Sequence, residues 1–148
     1  MSKPKRAAAS EITQTPRGCL CLHLQRAARA VARRFDDAFR PIGITSGQFS
    51  MMMALSQMEA PTIGRIADVL AMDRTTLTAN LKPLARRAFV KVSVDPKDKR
   101  SRLLSLTPSG RAILAEAVPV WRLTHAAIER VLGRASPERL RVDLRALS

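Results

Sequence analysis

The chain has 148 residues, 46% hydrophobic and only 3% aromatic, with no tyrosine, so one packed domain with added helices is expected, its core built from Leu, Ile, Val, Ala and Met. Lys and Arg number 26 against 12 Asp and Glu, a formal charge of +14, which repels itself unless it meets a polyanion such as nucleic acid or an anionic membrane surface. Cys19 and Cys21 are too few for a disulfide framework, and the absence of any run of about 18 apolar residues excludes a membrane-spanning helix.

Residues 1–16 carry Lys3, Lys5, Arg6 and two prolines. They read as a flexible basic tail, lack the apolar stretch of a secretory leader, and place the protein in the cytoplasm. The excess charge is not confined there: residues 61–107 hold ten basic and four acidic side chains, which fits a folded body with basic surfaces.

Leu20, Leu24, Ala27, Ala28, Val31, Phe35 and Phe39 recur at spacings of three and four, one face of a first helix ended by Pro41 and Gly43. Thr45 and Gln48 form a capping-box pattern for a second helix, with Ile44 and Phe49 as its hydrophobic staple. That helix runs through Met51, Met52, Met53, Leu55 and Met58 and breaks at Glu59-Ala60-Pro61. Thr62 caps a third helix with Ile63, Ile66, Ala67, Val69 and Leu70 inside. Asp73 caps a fourth, Arg74 to Arg87.

Phe89 to Val94 alternates and is β-branched, so it reads as a strand. The charged turn 95–100 joins it to a returning strand from Arg102 to Leu106. Thr107-Pro108 opens a long helix that reaches about Leu132, carries Pro119 inside it, and ends on Gly133. Ser136-Pro137 opens a last helix. The fold class is therefore mainly α with a small β-hairpin wing, and its middle section is a winged helix-turn-helix.

The fourth helix turns Leu77, Leu81 and Leu84 inward and leaves Arg74, Thr75, Thr76, Thr78, Asn80 and Lys82 exposed. Arg pairs bidentately with guanine, Asn with adenine, and a Thr methyl meets a thymine methyl. An ordinary amphipathic surface carries similar residues, so the helix alone decides little. The hairpin that follows adds Lys97, Lys99, Arg100 and Arg102, four cations within six residues, at a tip shaped to enter a minor groove.

At TIGRIADVLAMDRTTLTANLKPLARRAFV and DPKDKRSRLLSLTPSG the chain resembles the multiple-antibiotic-resistance regulator (MarR) family of bacterial winged-helix repressors. The layout over residues 18–147, a long helix before the DNA module and two after it, is similar too. The resemblance implies dimerisation helices at 17–43 and 107–148 around a DNA-binding module at 44–106. It implies a homodimer that places two recognition helices in successive major grooves of a pseudo-palindromic operator on double-stranded DNA. Arg100 resembles the family's minor-groove arginine, and Asp98 the acid that braces the wing by pairing with a nearby arginine. Two positions depart from the usual pattern. Ala88 stands where glycine is common, at a cost of about 1 kcal/mol if the backbone is left-handed, and Pro83 sits inside the recognition helix.

The resemblance also implies a small aromatic or phenolic effector bound between the dimer helices and the DNA module. Its expected lining is Leu24, Ala28, Phe49, Met52, Met53 and Trp121, with Arg26 or His23 near enough for a carboxylate, although plain core packing explains the same residues. One branch of the family senses organic hydroperoxides with a cysteine of the first helix, supported by tyrosines that this chain lacks. Cys19 and Cys21 therefore read either as that sensor or as buried, inert thiols, and their offset on a helix argues against pairing within one chain. Cys19 and His23 share a face, but two ligands do not close a zinc site. No metal, cofactor or membrane partner is expected. An enzyme needs a nucleophile–base pair or a metal cluster that these residues do not offer. An architectural nucleic-acid binder without effector stays open, as does activation in place of repression.

Overall fold

The computed structural model describes residues 17–133 and 136–148; the expected basic tail, 1–16, lies outside the described residues. Helix α1 (Leu20–Phe39) starts at Cys19, whose Sγ accepts from the Leu22 amide at 3.4 Å. A 3-10 turn, Arg40–Ile42, closes on Gly43 at φ +76°. Helix α2 (Ser46–Ser56) has both halves of the capping box: Gln48 N donates to Thr45 Oγ1 at 3.2 Å, and Thr45 N to Gln48 Oε1 at 3.1 Å. Both staple residues, Ile44 and Phe49, are buried.

Helix α3 (Ile63–Val69) starts on the Thr62 cap, and α4 (Arg74–Arg86) on Asp73. Both end in the same way. Ala71 and Ala88 adopt left-handed backbone, φ +47° and +56°. The amides of the next residues, Met72 and Phe89, reach back to the carbonyls of Ala67 and Leu84 at 2.9 Å, which satisfies carbonyls that a helix end leaves orphaned. The Ala88 position is thus left-handed, the condition under which the sequence reading assigned it a cost.

Strands β1 (Val90–Val94) and β2 (Arg102–Leu106) pair antiparallel, Val90 opposite Leu106 and Val94 opposite Arg102. The Leu104 amide donates to the Pro61 carbonyl at 2.9 Å, so the α2–α3 connection runs beside β2 and anchors the wing. Helix α5 (Pro108–Val131) runs through Pro119, and α6 (Pro137–Arg145) follows. Helix α2 is the centre of the core: Met51 and Met52 are fully buried together with Phe39, Ile66, Leu77, Leu84 and Leu104. This explains why α2 shows no single apolar stripe, since it is enclosed by α1, α4, α5 and the wing. Phe39 stacks on Phe49 at 4.9 Å, Phe49 on Trp121 at 6.4 Å, and Trp121 on His125 at 4.8 Å, a run of rings that ties α1 to α2 and α5.

Candidate nucleic-acid interface

The outward stripe of α4 is Thr75, Thr78, Ala79 and Lys82, spaced i, i+3, i+4, i+7, with Arg74 beside it, and these five line one shallow hollow. Leu77, Leu81 and Leu84 hold the opposite face in the core. The stripe offers a guanidinium, two hydroxyls with methyl groups, and an ammonium, all exposed. The Thr78 hydroxyl is returned to the Arg74 carbonyl at 2.7 Å, which leaves its methyl as the group free to meet a thymine.

Two residues expected on this stripe are placed differently. The Thr76 hydroxyl donates to Asp73 Oδ2 at 2.6 Å while its amide donates to Oδ1 at 2.8 Å. Thr76 therefore completes the helix cap, and its hydrogen bonds hold the Asp73 carboxyl below its ordinary value. Asn80 is half-buried. Its Nδ2 donates to the Thr76 carbonyl at 3.0 Å, and its amide group packs on Gly47 of α2. Asn80 lies two positions from Thr78, about 200° around the helix, so the two side chains leave α4 on different sides. Ala79 is the stripe residue that the sequence reading passed over, although its spacing marked it.

At the wing, Lys97, Lys99 and Arg100 are exposed at the tip. Two aspartates shape the turn through backbone amides: Asp95 Oδ1 accepts from Lys97 N at 2.9 Å and Asp98 Oδ1 from Arg100 N at 3.0 Å. Asp98 thus braces the wing, but through a backbone amide and not through the arginine side chain that the resemblance implied. The guanidinium of Arg102 turns back onto the carbonyls of Lys99 at 2.9 Å and Ser101 at 3.1 Å. Arg102 is a brace of the turn, and the tip charges are Lys97, Lys99 and Arg100.

The expected effector lining is brought together in part. Phe49, Met53 and Trp121 share an open hollow of about 380 Å³ with Ser50, Ala54, Gln57 and Leu70. Met52 is fully buried in the core, about 100° around α2 from the half-buried Met53. Leu24 and Ala28 are not part of the lining. The added residues Ser50, Ala54 and Gln57 fall on one helical face with Met53, a spacing legible in the sequence but hidden behind its run of methionines.

Cys19 is half-buried and Cys21 exposed, both as free thiols. The reading of both as buried is therefore corrected for Cys21, whose Sγ accepts from Gln25 Nε2 at 3.3 Å. His23 Nδ1 lies 2.8 Å from the Cys19 carbonyl, and His125 stacks on Trp121 on a different helix. Among the described residues no group of three or more His, Cys, Asp or Glu side chains is arranged to hold a metal ion. Among the same residues no helix is long and apolar enough to cross a membrane.

Comparison with known proteins agrees with this geometry. The model of the MarR family matches residues 44–101. The chain is similar to the transcriptional regulator MosR of Mycobacterium tuberculosis, solved in complex with DNA: 36% identity, TM-score 0.77, covering 87% of this chain and 92% of that one. It is similar to the transcriptional repressor CouR bound to a 23-mer DNA duplex, with 28% identity, TM-score 0.78 and coverage of 96% and 98%. Among curated relatives, an organic hydroperoxide resistance transcriptional regulator of Bacillus subtilis is 27% identical over 68% of this chain and 69% of its own length. The folded helices, the hairpin wing and these relatives lead to one conclusion: the chain belongs to the MarR family of transcriptional regulators.

Proposed function

We propose that this protein is a ligand-responsive transcriptional repressor that binds a pseudo-palindromic operator in double-stranded DNA as a homodimer. Helix α4 enters the major groove and the wing the minor groove. The observation that carries the reading is the pairing of one exposed polar stripe, Arg74, Thr75, Thr78 and Lys82, with a wing tip bearing Lys97, Lys99 and Arg100. Base edges are read from the first and negative potential is met by the second. Similar regulators solved on DNA support it.

Dimerisation is supported by apolar side chains left uncovered on the outer helices: Leu20 of α1, Leu123 and Val131 of α5, and Leu147 beyond α6 are 61 to 74% exposed. A second copy of the chain covers such surface, whereas a monomer wastes it. The effector is a small aromatic or phenolic molecule in the hollow of Phe49, Met53 and Trp121, and it acts by favouring one spacing of the two recognition helices over the other. No resident cofactor is required, and the protein works in the cytoplasm.

Fluorescence anisotropy on the chain's own upstream DNA, against a scrambled duplex over several salt concentrations, tests the reading. A preference of about a thousandfold with two chains per site is expected. Equal affinities that collapse together with salt refute it in favour of an architectural binder. A cysteine-based redox-sensing regulator is the second reading, favoured by the exposed thiol of Cys21 and the hydroperoxide-resistance regulator among the relatives. Loss of operator binding on treatment with an organic hydroperoxide, abolished in Cys21→Ser, distinguishes it.

A further inference from the structure

We infer that the recognition helix is held against the elbow between α1 and α2 by a two-point clip, Asn80 on Gly47 and Arg87 on Gly43, and that this clip sets the half-site spacing the dimer accepts. The inference rests on the reading of α4 as the major-groove helix. Asn80 and Arg87 are seven residues apart, so they share one edge of α4. Gly43 and Gly47 flank the Thr45 cap at the start of α2.

At the first point there is no room for a side chain. A Cβ on Gly47 would lie 2.8 Å from Asn80 Oδ1 and 3.1 Å from Nδ2, and the Asn80 amide is held in place by its 3.0 Å bond to the Thr76 carbonyl. At the second point Arg87 Nη1 donates to the Gly43 carbonyl, and the guanidinium lies over the Phe89 ring, 4.4 Å from its centroid. The elbow in turn belongs to α1. Gly43 N donates to the Phe39 carbonyl at 3.0 Å, and Asp36 of α1 accepts from the Ser46 amide at 2.7 Å.

One contact lets a helix swivel, whereas two on the same edge fix its direction. The side chains that bury α4 are Leu77, Leu81 and Leu84, so the clip is separate from the apolar contacts that hold the helix in the fold. It transmits the position of α1 to α4. In a two-fold dimer that position decides where each recognition helix lands, and one base pair of extra spacing moves the half-sites apart by about 3.4 Å and turns them by roughly 35°.

The test uses the full chain and duplexes carrying the operator footprinted in its upstream DNA, with the native spacer and with spacers a base pair shorter and longer. Gly47→Ala adds a good helix former, so thermal stability is maintained while Asn80 is displaced. We expect an affinity loss of about tenfold or more on the native spacer and a changed spacer preference. The double variant Gly47→Ala/Asn80→Ala is expected to regain most of the loss. Arg87→Lys keeps the charge but loses the planar fork, and is expected to flatten the spacer preference with affinity for scrambled DNA unchanged. Wild-type affinity and spacer preference in Gly47→Ala and in Arg87→Lys overturn the clip. So does a loss that is equal on every spacer and not rescued by Asn80→Ala. If the unmodified chain does not tell operator from scrambled DNA, the proposed function fails and the clip with it; if it does, a negative result in the variants counts against the clip alone.

Discussion

The Thr107 hydroxyl donates to the Ala88 carbonyl at 2.6 Å, so the left-handed residue that ends α4 is fastened to the first turn of α5. The same oxygen accepts the Gly110 amide at 2.9 Å, and Ser109 adds a second hydroxyl to Ala88 at 3.0 Å. The strained backbone is held from outside and does not relax on its own. A left-handed non-glycine residue costs about 1–2 kcal/mol, and glycine gives back roughly 0.4–1 kcal/mol through the freer unfolded chain. Ala88→Gly is therefore expected to stabilise the fold by about 0.5–1 kcal/mol with operator affinity unchanged. Urea unfolding reads this directly, and a lowered midpoint would show that Ala88 carries no strain.

Gly110 gives the opposite prediction in the same corner. A Cβ there would fall on the carbonyl oxygen of Phe89 and 2.9 Å from its carbonyl carbon. Backbone is the obstacle, so no rotamer change relieves the clash. That carbonyl also accepts the Thr107 amide at 3.1 Å, so moving it breaks the joint between α4, the wing and α5. Gly110→Ala is expected to destabilise by about 3 kcal/mol, the upper end for overpacking. Unchanged thermal unfolding in this variant would mean that α5 can draw back from Phe89 without loss of stability.

The two wing arginines are expected to differ. Arg100 makes no side-chain hydrogen bond or ion pair among the described residues, whereas Arg102 is committed to the Lys99 and Ser101 carbonyls. Arg100→Ala should weaken binding to all duplexes and lower the salt slope by about one. Arg102→Ala should leave the slope closer to wild type and speed hydrogen exchange at the Ser101 amide, which closes the turn onto the Asp98 carbonyl at 2.8 Å. Identical salt slopes and exchange rates for the two variants would contradict these separate roles.

The helices, caps and hairpin were legible because each rests on local chemistry. Thr45 with Gln48, Thr62, Asp73, Thr107 and Ser136 are caps wherever they precede an apolar repeat, and each one caps a helix here. The outward face of α4 was legible only in part, since residue chemistry and residue angle disagree at Asn80 and angle decides. The Arg102 fold-back, the Arg87 reach to Gly43 across 44 residues and the side of α2 that each methionine takes were not legible. All three depend on which elements meet in space, and no local pattern encodes that. The Ala88 position shows the intermediate case. Its place after a helix end marks it for left-handed backbone, but whether the chain accepts that strain is decided by Thr107, nineteen residues away.

The Glu129–Arg141 pair joins α6 to α5 and is expected to make that joint sensitive to acid. Glu129 Oε1 accepts from Arg141 Nη1 at 2.7 Å, and the Arg141 hydrogen bond holds the Glu129 carboxyl below its ordinary value of 4.5. Glu138 takes the other side of Arg141 at 3.0 Å and meets Arg145 at 3.6 Å, while His125 approaches Glu129 at 3.6 Å and adds attraction when protonated. A carboxyl whose folded value is depressed stabilises fully above its unfolded value and loses that contribution as pH falls through the folded one. Protection of the α6 amides, taken relative to the intrinsic exchange rate at each pH, is therefore expected to be high at neutral pH and to fall as pH drops below 4.5. Glu129→Gln should show lower protection at neutral pH and a weaker acid response. If the variant and the wild type respond to acid alike, the Glu129–Arg141 pair is not what makes the joint sensitive to acid.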